Sequence, residues 1–349
     1  MKPSTAIAVS GGIDSLTAAY LLKKDGHHVI GIHFLTGFEY QTPPKTRAEE
    51  IISYLDCQLG IEVKIIDCSS EFKTAVVDYF IQTYQTGQTP NPCMVCNPSI
   101  KFGSILAFAR ELGAASLATG HYARIKKDEK GRFHLFKGVD PKKDQSYFLA
   151  GLNQQQLARA SFPLGNMTKS EVKILAGEKG LAAITKEESQ DICFIKEGNY
   201  GDFIARQQGF ESKPGLIEDV TGNIIGKHAG LHLFTIGQRR GINCPASEPY
   251  YVVALDAGHN RLKVGFKKDL LSLECNVVDI NWINQKPDAP VKLLTRVRYR
   301  HRETAATLFP TSGKTALVKF EKPESAITPG QSAVFYQGEE VLGGGRISV

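Results

Sequence analysis

Short apolar runs alternate with amphipathic stretches along the first third of the chain. Residues 5–9, 28–34, 61–67 and 116–122 are rich in Ile and Val and read as strands. Between them the apolar spacing predicts helices over 15–25, 45–59, 71–85 and 101–112, with Gly26, Gly60 and Gly113 ending three of them. Strands alternating with helices predict an α/β unit built on a doubly wound parallel sheet, with a ligand at the carboxyl ends of its strands. Residues 126–137 read as a hairpin turning at "DEKGR", and Thr168 with Glu171 has the spacing of a capping box opening a helix. From Gly201 to Val349 the pattern becomes short alternating segments broken by Gly, Pro and Asn. There "YYVVALDAGHNRLKVGF" reads as a hairpin turning near Gly258–Asn260, and "INQKPDAP" (283–290) as a linker into a last all-β unit. Three domains are expected: 1–200, 201–280 and 281–349.

The handover from the first strand to the first helix reads "SGGIDS" (10–15). A helix start offers unpaired N–H groups and the positive end of a dipole, which suits an anion. Gly11 and Gly12 let the backbone turn and approach a ligand, and Ser10 and Ser15 add hydroxyl donors. The loop therefore predicts phosphate binding. It lacks the Gly-Lys-Ser/Thr of a Walker loop, whose lysine sits on the β- and γ-phosphates. An acid, Asp14, stands in the turn instead, which suits local hydrogen bonding or a share in holding Mg²⁺.

Seven cysteines bear on the chemistry. Cys93 and Cys96 form a C-x-x-C inside "TPNPCMVCNPSIKFG" (89–103), flanked by Pro92 and Pro98 and placed just before a helix. With no second pair, zinc is not implied. Cys57, Cys68, Cys244 and Cys275 stand alone and read as buried, inert thiols. Cys193, in the loop-like "EESQDICFIKEGNYGDF", is open between a structural role and work as nucleophile, sulfur carrier or cluster ligand. In "VKLLTRVRYRHRE" (291–303), read as a strand, Arg296, Arg298, Arg300 and Arg302 share one face and Val297, Tyr299 and His301 the other. Such a face fits a phosphate backbone with Tyr299 stacking on a base, or else an edge strand guarded by charge.

Net charge is +6, and it is spread: residues 1–200 carry 23 basic and 21 acidic side chains, and residues 201–349 carry 19 and 15. That balance permits a nucleic-acid partner without demanding one. No run approaches the length of a membrane span, and the first strand begins close to Met1, so neither membrane nor export signal is expected. Unpaired cysteines in such a chain suggest the cytoplasm.

These pieces together resemble the tRNA-specific 2-thiouridylases, a family of ATP-dependent enzymes that thiolate the wobble uridine of certain tRNAs. SGGIDS is similar to the loop of the ATP-pyrophosphatase superfamily. Narrower matches are "TPNP" with Cys96-Asn97 and "IKFG", then "TGHYAR" (119–124), "KDQSYFL" (143–149) and "ICFI" (192–195). "TIGQRRG" (235–241), "RYR" (298–300), "PGQ" (329–331) and "LGGG" (342–345) complete them, in order along nearly the whole chain. The resemblance implies an adenine-nucleotide α-hydrolase-like catalytic domain, a small mostly β central domain and a β-barrel-like C-terminal domain that binds tRNA. It places ATP over Ala8, Val9, Ser10, Gly11, Gly12, Ile13, Asp14 and Ser15, with Phe34 and Gly120 near the adenine or ribose. Cys193 would carry sulfur as a persulfide, received from a sulfur-donor protein. Cys96 would release it, ending as a Cys96–Cys193 disulfide that is reduced each cycle. Asn91, Pro92 and Cys93 would surround the target base, and His121, Lys143, Asp144, Gln145, Arg298, Tyr299 and Gln331 would contact the anticodon region of the tRNA.

One position departs from the family, which has Asp where this chain has Cys93. Three cysteines, 93, 96 and 193, would then face one site, as in related thiolases that hold a [4Fe–4S] cluster. Sulfur delivery through a cluster is therefore the alternative to a persulfide. A ligase with the same loop acting on a small molecule is more remote, because it would need neither Cys193 nor the arginine stretch.

Overall fold

The computed structural model describes residues 4–39, 44–184, 192–195, 198–207 and 209–348. Four strands come first: β1 (Thr5–Ala8), β2 (Val29–Leu35), β3 (Val63–Asp67) and β4 (Ser116–Ala118). A hairpin, β5 (Ala123–Lys127) and β6 (Phe133–Lys137), turns over 128–132 as its sequence predicts, and β7 (Ala160–Ser161) follows. The first sheet is wholly parallel, in the order β3-β2-β1-β4-β7. All of β1 is buried, with Ala6 and Ala8 in one core cluster and Ile7 in another that Val9 also joins. Alternate side chains facing opposite layers is what a central strand covered by helices requires. The chain runs outward from β1 through β2 and β3, then returns to the other side of β1 at β4. Such a reversal leaves a crevice at the strand carboxyl ends, where the loops after β1 and β4 diverge.

Helices Ile13–Lys24 and Pro44–Leu59 follow β1 and β2. The predicted helix over 71–85 is a run of Ser69–Phe72, a π-helical Lys73–Asp78 and Tyr79–Gln85. The one predicted over 101–112 begins earlier: Pro92–Cys96 leads through a π-helical Asn97–Ile105 into Leu106–Glu111. The C-x-x-C thus lies inside the helical run rather than before it. Pro92 suits a first helical turn, where its missing N–H costs nothing. Pro98 does not, since it cannot donate and its ring crowds the carbonyl four residues back, and a π-helical stretch absorbs that misfit. The capping box of Thr168 and Glu171 opens Lys169–Glu178 as expected.

The central sheet holds β8 (Gly215–Asp219), β9 (Ile224–His228), β10 (Tyr251–Asp256) and β11 (Arg261–Gly265) in the order β10-β11-β8-β9. The last unit contains β12 (Leu271–Trp282), β13 (Val291–Arg296), β14 (Thr304–Pro310), β15 (Ala316–Ser325), β16 (Ser332–Gln337) and β17 (Glu340–Ser348). Its order β12-β15-β14-β13-β16-β17 closes through a β12–β17 pairing into an antiparallel barrel around Val277, Leu308, Val318 and Phe335. β17 also pairs with β6, which ties the hairpin to the barrel.

Two expectations fail here. Segment 283–290 joins β12 to β13 within the barrel rather than leading into it, because β12 already pairs with β15 and β17. The alternation of β12 holds from Leu271 to Val277 and breaks at Val278–Asp279, where Asp279 takes φ +55° and the register with β17 shifts. The strand predicted over 291–303 stops at Arg296, where its pairing with β16 ends. The chain then turns, closed by Arg296 Nε donating to the His301 carbonyl at 3.0 Å. The four arginines therefore do not form one row.

Candidate active site

The loop after β1 is built as its residues suggest. Gly11 takes φ +79° and Gly12 caps the helix in an extended conformation. Ser15 Oγ donates to the Gly12 carbonyl at 2.8 Å, and the Ser10 N–H points at Ser15 Oγ at 3.3 Å. Gly120, just after β4, packs on this loop so closely that a Cβ there would sit 3.0 Å from the Asp14 carbonyl carbon and the Ser15 nitrogen. Glycine is needed at 120 for that approach. Phe34, near the end of β2, packs against the main core beside the loop.

Asp14 faces a partner that the sequence did not announce. Lys169 Nζ donates to both its carboxylate oxygens, at 2.7 and 2.8 Å, and Tyr122 Oη donates to Oδ1 at 2.8 Å. Both oxygens of Asp14 thus accept hydrogen bonds from protein donors, one of the two parts its place in the turn suggested. Tyr122 is buried, and Lys169 opens its helix with its backbone N–H bonded to Asp140 at 2.9 Å. Nothing in the local pattern points to Lys169, since only the tertiary fold carries that helix to the loop.

The second cluster lies on the helical run from Pro92. Asn91 is buried, with its Nδ2 3.5 Å from both Tyr147 Oη and Ser332 Oγ, and Pro92 is buried beside it. Cys93 is exposed and Cys96 half-buried. Burial pushes the Cys96 thiol up to about 12, with the Lys101 ammonium pulling it down and Cys193, Cys93 and Cys68 adding to the rise. The Cys93 thiol is pushed up to about 11 by the protein around it and by Cys193, against Lys101. Cys93 therefore touches solvent while protein surrounds most of its side chain. Lys101 stands five residues after Cys96. In an α-helix that spacing puts two side chains about 140° apart. The i→i+5 hydrogen bonding of the π-helical stretch stacks them instead.

Lys101 Nζ also lies 3.3 Å from His121 Nε2, and His121 Nδ1 lies 2.7 Å from Thr119 Oγ1. An ammonium cannot accept, so Nε2 is the acceptor and the ring proton sits on Nδ1, donating to Thr119. Burial and Lys101 hold the His121 pKa well below its usual range, so the ring is neutral. One tetrapeptide, Thr119–Tyr122, therefore touches the phosphate loop through Gly120 and Tyr122, and the cysteine helix through His121.

Cys193 sits exposed in a turn closed by Ile195 N–H donating to the Ile192 carbonyl at 2.9 Å. Phe194 anchors that turn: it is buried among Phe72, Phe80 and Phe203, with ring centroids 5.3–5.7 Å away. The acids Glu187, Glu188 and Asp191 of the same stretch lie outside the described residues. No disulfide joins any of the seven cysteines. Of those read as buried and inert, Cys68 and Cys275 are buried, whereas Cys57 is exposed and Cys244 half-buried.

The other residues assigned to tRNA lie on the elements that meet the segment leading to Asn91 or on loops beside it. Gln331 Nε2 donates to the Pro90 carbonyl at 2.8 Å, and the Thr89 N–H donates to the Pro329 carbonyl at 2.9 Å. The barrel thereby clamps the segment leading to Asn91, and Thr235 of the central domain meets it through the Thr89 hydroxyl. Arg298 turns inward, bonded to the Ile236 carbonyl at 2.7 Å and to Thr328 Oγ1, and burial lowers its pKa. It joins the central domain to the barrel, whereas Arg300 and Arg302 are exposed. Tyr299 packs on Phe148 with centroids 4.4 Å apart. Asp144 is buried and accepts from the Gly138 and Ser146 N–H groups and from Arg296 at 3.4 Å, so it organises its own loop. Gln145 exchanges hydrogen bonds with the Tyr122 backbone, and Lys143 is half-buried beside them.

Among the described residues no three His, Cys, Asp or Glu side chains are gathered closely enough to hold a metal ion. Cys93 and Cys96 each interact electrostatically with Cys193, so the three thiols share one neighbourhood. No helix of the described residues is long and apolar enough to cross a membrane.

Residues 4–197 match the family model described as tRNA methyl transferase HUP domain. Residues 201–266 match its PRC-barrel domain, and 272–347 an aminomethyltransferase beta-barrel domain. The tRNA-specific 2-thiouridylase MnmA of Desulfosudis oleivorans is 52% identical, covering 99% of this chain and 95% of its own length. Enzymes of the same name from Geobacter metallireducens and Moorella thermoacetica are 42% and 44% identical, each covering 98% of this chain and 95% and 98% of their own lengths. With relatives this similar along nearly its whole length, the chain belongs to the tRNA-specific 2-thiouridylase family.

Proposed function

We propose that this protein spends ATP to replace the C2 oxygen of a tRNA wobble uridine with sulfur. The observation that carries the reading is the Thr119–Tyr122 bridge, which sets the phosphate loop beside the cysteine helix. A nucleotide on the loop and a base near Cys93 would then meet in one cleft. The family models carry descriptions of methyl transfer, but methyl transfer gives neither a phosphate loop nor two cleft thiols any work.

Uridine O2 attacks the α-phosphate, pyrophosphate leaves, and C2 carries an oxygen that departs readily as AMP. The loop N–H groups and the Ser10 and Ser15 hydroxyls orient the phosphates. A persulfide on Cys193, loaded from a sulfur-donor protein, attacks C2 through its terminal sulfur, and the C2–O bond breaks with AMP. Cys96 as thiolate then attacks Cys193 Sγ and cleaves the S–S bond, which leaves sulfur on C2 and a Cys96–Cys193 disulfide. A dithiol reductant returns both thiols. Lys101 stabilises the Cys96 thiolate, which burial alone disfavours, and neutral His121 keeps the ammonium aimed there. Asn91 and Pro92 would frame the base, with Cys93 beside them. Gln331, Tyr299 and the exposed Arg300 and Arg302 would face the anticodon region. Cysteines left as thiols rather than disulfides fit work in the cytoplasm.

Incubation with ATP and bulk tRNA tests the reading. Pyrophosphate and AMP released only when tRNA is present support it. ADP and phosphate, or pyrophosphate without tRNA, would overturn it.

A further inference from the structure

The loop Ser10–Ser15 lacks the lysine that a Walker loop places on the β- and γ-phosphates. A phosphate site built from N–H dipoles and hydroxyls alone leaves the terminal phosphates without a full countercharge. Lys169 stands beside the helix turn that follows this loop. Its Nζ lies 2.7 and 2.8 Å from the two oxygens of Asp14, a residue in the first turn of the helix that the loop opens. The lysine is 8% exposed, and its backbone is fixed by Asp140. Tyr122, also buried, holds the same Asp14 oxygen from the other side.

A stabilising clip between two helices is the plain alternative, and it explains this pair poorly. Taking an ammonium and a carboxylate out of water offsets most of their attraction, and apolar residues in such places serve stability as well or better. An ion pair that is only a clip also has no reason to sit at the mouth of an anion site. We propose that Lys169 supplies the phosphate loop, from a separate helix, with the cation that binds the β- and γ-phosphates of ATP, and that Asp14 and Tyr122 orient it. Asp14 is then a positioning residue for Lys169. This rests on the ATP-dependent reading above.

Equilibrium binding of ATP and of AMP to the full chain, with tRNA binding alongside, tests it. Loss of one charge-assisted contact to phosphate predicts that Lys169→Met weakens ATP about 10- to 100-fold. AMP, which lacks the β- and γ-phosphates, and tRNA should bind as before, and Lys169→Arg should recover part of the ATP affinity. If Lys169→Met does not fold, the pair Asp14→Asn with Lys169→Gln keeps a hydrogen-bonded clip and removes the ammonium, and the same selective loss of ATP is expected. Equal losses for ATP and AMP, or no loss for ATP, would overturn the role of Lys169 and leave the thiolation reading standing. Wild-type protein that binds neither nucleotide would instead remove the reading on which it rests.

Discussion

Gly330 offers the sharpest test of how the barrel reaches the cleft. It has φ +89°, and a Cβ added there would lie 2.7 Å from the Thr89 carbonyl oxygen and 2.9 Å from its nitrogen. Both neighbours are backbone, so the clash cannot be relieved by turning a side chain. An L-residue in this region of φ costs about 1–2 kcal/mol. Pushing Thr89 away also loosens the bonds Thr89 N–H to Pro329 and Gln331 Nε2 to Pro90. Each is worth about 1 kcal/mol. For Gly330→Ala the sum is about 2–4 kcal/mol, or on the order of 5–15 °C in the melting of the unit affected. Scanning calorimetry reads the shift. Thiolation kinetics read the consequence at Asn91 and Cys93, with kcat/KM for tRNA falling while ATP affinity holds. A variant that melts within about a degree of the parent and turns over normally refutes the clamp.

Cys96→Ser and Cys193→Ser should each abolish 2-thiouridine formation, whereas Cys93→Ser should keep it, and the unmutated chain should take up no iron after anaerobic reconstitution. Loss of both activity and iron in Cys93→Ser would return sulfur delivery to a cluster. Arg298→Ala should lower stability without changing the salt dependence of tRNA binding, because its guanidinium is turned inward. Arg300→Ala with Arg302→Ala should flatten the log–log slope by about 0.7–0.9 per lost phosphate contact, and an unchanged slope removes them from the interface. The raised thiols of Cys93 and Cys96 are protonated at neutral pH in the folded chain. Their alkylation by iodoacetamide, followed by peptide mass spectrometry, should rise about tenfold per pH unit from about pH 8 to beyond 10. Because the neutral thiol is the form that folding favours, that contribution to stability is present below the ordinary thiol pKa and is lost above it. An alkylation plateau below about pH 9 contradicts the burial argument.

The parallel sheet and its ligand loop were legible because central strands and glycine turns are local features. The loop after β1, the hairpin at 128–132 and the capping box at Thr168 each depend on residues within a few positions of one another. What escaped depends on long-range geometry. Lys169 meets Asp14 across 155 positions. Lys101 shares the face of Cys96 only because the helix widens after Pro98. The alternation R-V-R-Y-R-H-R looks like a strand, yet the barrel ends its pairing at Arg296 and folds the rest into a turn. The motifs PGQ and TIGQRRG signalled the family without revealing their physical work, which is to hold the segment before Asn91 in place.

The central claim is sulfur transfer to uridine C2 driven by adenylation. Protein, ATP, a persulfide donor and unmodified tRNA are incubated together, the tRNA is digested, and its nucleosides are weighed by mass spectrometry while AMP and pyrophosphate are counted. The account predicts 2-thiouridine at the wobble position in step with AMP and pyrophosphate. A methylated nucleoside, or ATP cleavage that leaves the tRNA unchanged, contradicts it.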